Sequence, residues 1–72
     1  MTVEELVRNM SVDYAEKVVV EQGYDKGRTL GDIRSKKPQG LEFHASRGSN
    51  NFIKAAAIIL IADEKKNREE AI

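Results

Sequence analysis

Phe52-Ile53-Lys54-Ala55-Ala56-Ala57-Ile58-Ile59-Leu60-Ile61-Ala62 is the stretch whose reading decides the fold. Ser49, Asn50 and Asn51 stand before it. Each can accept a hydrogen bond from an unpaired first-turn N–H, so a helix is expected from about Phe52 to Lys66, followed by a fraying charged tail. A helix that is apolar almost all round is normally sandwiched between other elements. This one is therefore the expected spine of the domain, unless part of it covers a second subunit. Its uninterrupted apolar run, Ala55 to Ala62, is eight residues long, against the roughly 20 needed to span a bilayer. It is a core segment, and no membrane partner is expected.

The rest of the chain must pack on that spine without covalent help. Cysteine is absent and His44 is the lone histidine, so neither a disulfide nor a zinc site is available. A chain of 72 residues forms one domain, residues 1–72. Such a domain buries only about 60% of its unfolded surface and nets about 3 to 5 kcal/mol from one core. Large substrate cavities are not expected. Glu4 and Glu5 stand where a secretory signal would be basic. Together with the lack of cysteine this makes a cytoplasmic location the expectation.

Moving outward from the spine, Thr2 and Glu5 form a Thr-x-x-Glu capping box, and Val3, Leu6, Val7 and Met10 recur at helical spacing, which predicts a short helix over about 3 to 9. Ser11 could cap another helix, but Val18-Val19-Val20 is a β-branched run that prefers extended backbone, so a strand is expected at about 17 to 22. Gly23 and Gly27 bracket a tight turn in which at least one position needs positive φ. Thr29, three residues before Asp32, caps a short helix from Leu30 to about Ser35, weakened by Gly31. Leu41, Phe43 and Ala45 alternate as in a strand, whereas Leu41, His44 and Ala45 fit a helical face, so periodicity leaves 38 to 46 open. The expected fold class is mainly α with a minor β element: a short N-terminal helix, a strand or turn near 17–28, two short helices and a long C-terminal core helix.

Twelve basic and twelve acidic side chains cancel, but unevenly. Residues 1–24 carry −3, residues 25–54 carry +4 and residues 55–72 carry −1. A basic middle between acidic ends points to anionic partners. Lys26, Arg28, Arg34, Lys36, Lys37 and Arg47 are its candidate contacts, with Tyr24 placed to stack on an exposed base.

Gly23-Tyr24-Asp25-Lys26-Gly27-Arg28-Thr29-Leu30-Gly31-Asp32-Ile33, followed by Pro38-Gln39-Gly40-Leu41-Glu42-Phe43, resembles the exodeoxyribonuclease X-like C-terminal domain and related short phage and mobile-element proteins. Their pattern is Gly-Lys-Tyr-Lys-Gly-Lys-Thr-Leu-x-Glu-Ile, then Asp-Pro-x-Tyr-Leu-x-Trp and an alanine-rich helix. Tyr24, Asp25, Lys37 and Gly40 depart from it. The resemblance covers Gly23 to about Ala62. It implies a turn feeding two short helices, with Leu41 and Phe43 as core anchors, attached to proteins that process DNA, and it brings no catalytic site.

The residues themselves offer little chemistry. Gly23-x-x-x-Gly27-Arg28-Thr29 has the wrong spacing for a nucleotide-hydrolysing loop, which needs Gly-x-x-x-x-Gly-Lys-Ser/Thr. Phosphate contact by Lys26, Arg28 and the helix start remains open to it. His44 and Ser46 lack an orienting acid fixed by any pattern. No enzyme, cofactor or metal is expected. The expected role is a non-catalytic accessory module of DNA metabolism, its partner DNA or a DNA-processing protein. The alternative is a protein-interaction module or homodimer using the apolar C-terminal helix.

Overall fold

The Thr2 hydroxyl accepts the Glu5 N–H at 3.2 Å while the Glu5 carboxylate accepts the Thr2 N–H at 3.2 Å, which closes the capping box and starts α1 (Val3–Asn9). This is seen in a computed structural model that describes the backbone of residues 1–70 and the side chains of residues 1–67. Ser11 then caps α2 (Val12–Lys17) by accepting the Tyr14 N–H at 3.1 Å. Thr29 caps α3 (Leu30–Lys36) in the same way through Asp32. α4 spans Gly40–Arg47 and α5 spans Asn51–Glu70. Among the three candidate caps of α5 it is Asn50 whose side chain accepts a first-turn N–H, that of Ile53 at 3.0 Å. α5 continues past Lys66. The fraying expected of the tail concerns residues whose side chains, and at 71–72 whose backbone, lie outside the described residues.

The strand expected at 17–22 is not formed. Ser11 and the acidic first turn at Asp13 carry the helical alternative as far as Lys17. The β-branched Val18-Val19-Val20 does become extended, but it is paired only by an isolated antiparallel bridge between Val19 and Thr29. Leu30 N–H donates to Val18 O and Val20 N–H donates to Arg28 O, both at 2.9 Å, and there the ladder ends because α3 begins. The described residues are thus mainly helical, with this bridge in place of a sheet. At 38–46 the helical alternative holds. Pro38 gives up no N–H that the first turn needs, and Leu41 N–H reaches its carbonyl at 3.1 Å.

α5 is the spine. Ile53, Ala56, Ala57 and Leu60 meet Leu30 and Ile33 of α3, Leu41 of α4, Ala15 of α2 and Val20 in one buried cluster. The alanines keep that face of α5 low enough for α1, α2 and α4 all to lie against it. Gly31 serves a related purpose. A Cβ there would fall 2.9 Å from the Glu16 carbonyl oxygen, so the glycine that weakens α3 as a helix also lets α3 pack on the end of α2. Phe43 departs from its expected place. It is 58% exposed, whereas Leu41 is buried. Once 40–47 is a helix, Leu41 and His44 share the inward face at three-residue spacing, and Phe43 is turned away from it. No described helix is long and apolar enough to cross a membrane.

Candidate nucleic-acid interface

The turn between the bridge and α3 is built on two glycines. Gly23 and Gly27 have φ of 88° and 87°, a region that L side chains rarely adopt. Between them Lys26 N–H donates to Gly23 O, and Arg28 N–H donates to Asp25 O. Gly27 N–H ties the turn back to Val20 O at 2.9 Å. Tyr24 and Lys26 project into solvent, and Asp25 points inward with 7% exposure.

Asp25 joins the turn to two other elements. His44 of α4, itself 4% exposed, has Nε2 at 3.0 Å from Asp25 Oδ2. Lys37, at the end of α3, places Nζ 2.9 Å from Oδ1. That ammonium sits off the direction a hydrogen bond prefers, so the second contact is an ion pair, and Oδ1 has no hydrogen-bond donor among the described residues. Lys37 and then His44 hold the Asp25 carboxyl below its ordinary range, against the opposing effect of burial. An ionised carboxylate only accepts, so Nε2 of His44 is the donor in this bond.

The same Lys37 ammonium lies over the ring of Tyr24, 4.7 Å from its centroid. On the far side, the rings of Phe43 and His44 meet edge to face with centroids 5.4 Å apart. An unbroken chain of contacts therefore runs from Tyr24 through Lys37, Asp25 and His44 to Phe43.

No family model, curated protein or solved structure matches this chain. Its site is read from its own geometry.

The candidate cations fall into three groups. Arg34 is held inside a cage of acids: Nε is 2.6 Å from Glu64 Oε1, one terminal nitrogen is 2.6 Å from Asp63 Oδ2, and the other is 3.4 Å from Glu16 Oε1. With its side chain 14% exposed, Arg34 clamps α3 to α2 and α5. Glu64 first, then Asp63, raise its pKa above an already high ordinary value. Lys36 and Lys37 have one carboxylate each, Asp32 at 3.1 Å and Asp25 at 2.9 Å. Lys26, Arg28 and Arg47 are exposed and have no carboxylate within salt-bridge distance among the described residues. Tyr24, Lys26 and Lys37 thus gather at the turn, Arg28 closes it, Arg47 lies one turn beyond His44 on α4, and Arg34 stands apart.

The Ser46 hydroxyl donates to the Glu42 carbonyl of its own helix at 3.0 Å, and no hydrogen bond joins it to His44, so a nucleophile–base contact is not formed between the two. Among the described residues no group of three or more His, Cys, Asp or Glu side chains could hold a metal ion.

Two features escaped the sequence reading. Asp25, one of the departures from the resembled pattern, anchors the turn to α4. Phe43, a core anchor by the resemblance, is exposed. The signal for its exposure was already present in the helical spacing of Leu41 and His44.

Proposed function

We propose that this chain is a non-catalytic accessory module of DNA metabolism that contacts nucleic acid weakly through the turn at residues 23–28 and the adjoining face of α4. The observation that carries this reading is the set of exposed cations Lys26, Arg28 and Arg47, without a carboxylate partner among the described residues, around a turn that Asp25 anchors to α4, with Tyr24 standing 89% exposed among them. The chain as a whole is electrically neutral. Its partner contacts are therefore local, and the affinity is modest. Arg34 is no part of the proposed surface, and Lys37 acts mainly by holding Tyr24 and Asp25. The resemblance of Gly23 to Phe43 to the exodeoxyribonuclease X-like domain supports placing the module in DNA processing.

Fluorescence anisotropy with labelled single- and double-stranded oligonucleotides tests it. If Lys26, Arg28 and Arg47 each meet a phosphate, counterion release lowers single-strand affinity roughly 20-fold between about 50 and 200 mM salt. No binding at the low-salt end overturns the reading.

A second reading has its own observation. The apolar stretch of α5 is buried along Ile53, Ala55, Ala56, Ala57 and Leu60, with Ile58 exposed further on, and Phe52 at its start and Tyr14 of α2 are both exposed and line two adjoining clefts, one with Val18 and Val19, the other with Met1, Leu6 and Met10. These form an apolar patch suited to another protein. Light scattering that finds a monomer at high concentration removes the homodimer form of this reading.

A further inference from the structure

Tyr24 and Phe43 are large aromatic side chains at the two ends of one contact chain, and both stand mostly in water. Neither contributes to the buried cluster. Each has a cation beside it. Lys37 Nζ covers one face of the Tyr24 ring and leaves the other to solvent. Arg47 lies four residues after Phe43 on α4, so the two side chains are neighbours on the helix surface. The carboxylate between them is buried and already neutralised by Lys37, so it does not repel an incoming phosphate. Glu42 beside Phe43 and Glu21 before the turn are exposed acids near these residues in the chain.

We infer that Tyr24 and Phe43 are paired stacking platforms for unpaired bases, so that the ligand of this surface is single-stranded nucleic acid. The inference rests on the nucleic-acid reading above and narrows it. Bases within a duplex already have both faces covered, and only an unpaired base can present one to a ring. Phe43 has no hydrogen-bonding group, so its contact with a base is stacking rather than edge recognition, and the site is tolerant of sequence. The Asp25–His44 bond ties the turn that carries Tyr24 to α4, which carries Phe43. That order exists before the strand arrives, which lowers the entropic cost of ordering on binding. Lys26, Arg28 and Arg47 then meet the phosphates on either side.

The test uses three labelled ligands of equal length: a thymidine homopolymer, the same backbone with abasic sites throughout, and a duplex. Anisotropy at low salt should rank the base-bearing single strand tightest. Tyr24→Ala and Phe43→Ala should each weaken it by roughly 5- to 150-fold, the range for losing one stacked base, and should leave abasic binding unchanged. Tyr24→Trp should keep the affinity and give an indole fluorescence that the homopolymer quenches. Circular dichroism confirms that each variant is folded. Should Phe43→Ala fail to fold, Phe43→His, which keeps a ring, and the Tyr24→Trp quench still decide the matter. Equal affinity for abasic and base-bearing strands, tighter binding of the duplex, or no quench from Tyr24→Trp overturns the inference, and if Lys26→Ala and Arg47→Ala still weaken binding the broader reading survives. Absence of binding to all three ligands overturns both.

Discussion

Replacing Arg34 by methionine is the sharpest test of how this fold is held together. Methionine keeps most of the aliphatic stem that packs between α3 and α5 and removes the guanidinium alone. Two charge-assisted bonds of 2.6 Å, to Glu64 and Asp63, are lost, together with the longer 3.4 Å contact to Glu16. Exposed ion pairs contribute about 0 to 1 kcal/mol, whereas removing one partner of a fully buried pair costs about 3 to 5 kcal/mol. Arg34 is nearly buried while its three acids are partly solvated, so the expected loss lies between these limits, about 2 kcal/mol. In a domain with about 3 to 5 kcal/mol to lose, this removes roughly half of the stability. Far-UV circular dichroism should show the melting temperature falling by about 8 to 16 °C. Urea titration should show the midpoint falling by about 2 M for an m-value near 1 kcal/mol/M. Arg34→Lys should fall part-way, because an ammonium cannot span Asp63 and Glu64 as the guanidinium fork does. Nucleic-acid affinity per folded molecule should be unchanged by Arg34→Met, since the guanidinium faces its acids. A stability loss below about 0.5 kcal/mol, the level of an ordinary surface substitution, would refute the argument. So would a loss of binding without a loss of stability.

Asp25→Asn keeps the shape and can still accept from His44 Nε2, but it leaves Lys37 without its ion pair, at a cost of about 1 to 2 kcal/mol near neutral pH. Because Lys37 and His44 depress the folded-state pKa of Asp25, its contribution is complete above the ordinary carboxylate range and is lost as pH falls through the folded value, so urea midpoints of wild type and variant should converge in acid. A gap that stays constant down to the lowest pH would contradict this. Leu41→Ala should cost about 2 to 5 kcal/mol and Phe43→Ala no more than about 0.5 kcal/mol, although they lie two residues apart. Similar losses by urea titration would return Phe43 to the core. Gly27→Ala should cost about 1 kcal/mol even though nothing lies within 4 Å of the added Cβ, because the strain is in the backbone alone. An unchanged midpoint would mean that the positive φ is not needed.

The helices were legible wherever a cap and a periodic face agreed. Thr2 with Glu5, Thr29 with Asp32 and Asn50 before the alanine-rich run each mark a first turn, and each first turn is found there. Where local signals conflict, the sequence alone does not set the boundary. Ser11 argued for helix and Val18-Val19-Val20 for strand, but the two act on successive segments, so the helix runs to Lys17 and the extended stretch follows it. β-branched residues specify extended backbone. Whether that backbone becomes a strand depends on a partner long enough to pair with it, and here α3 begins immediately after the single bridge. The site was less legible for a related reason. A sequence counts charges, but their pairing depends on packing between distant elements. Arg34 and its acids are 18 to 30 residues apart, and Asp25 and His44 are 19 apart.

That pairing separates the candidate cations held across elements from those without a partner among the described residues, with Lys36 held within its own helix, and the sorting bears on function. Arg34 and Lys37 are held by acids from other elements, where their removal changes folding. Lys26, Arg28 and Arg47 have no such partners among the described residues, so no ion pair in the fold accounts for them. All four aromatic side chains, Tyr14, Tyr24, Phe43 and Phe52, are exposed and lie outside the buried cluster, and two of them, Tyr24 and Phe43, belong to the anchored turn and α4. A domain with so small a margin of stability can change only residues that its core and ion pairs do not use, and Tyr24, Lys26, Arg28, Phe43 and Arg47 are among them. Substitutions that alter ligand binding and substitutions that alter folding should therefore fall on separate residues. The two properties can be measured independently, and a binding-defective variant that melts like the wild type is the expected signature of a lost contact rather than a lost fold.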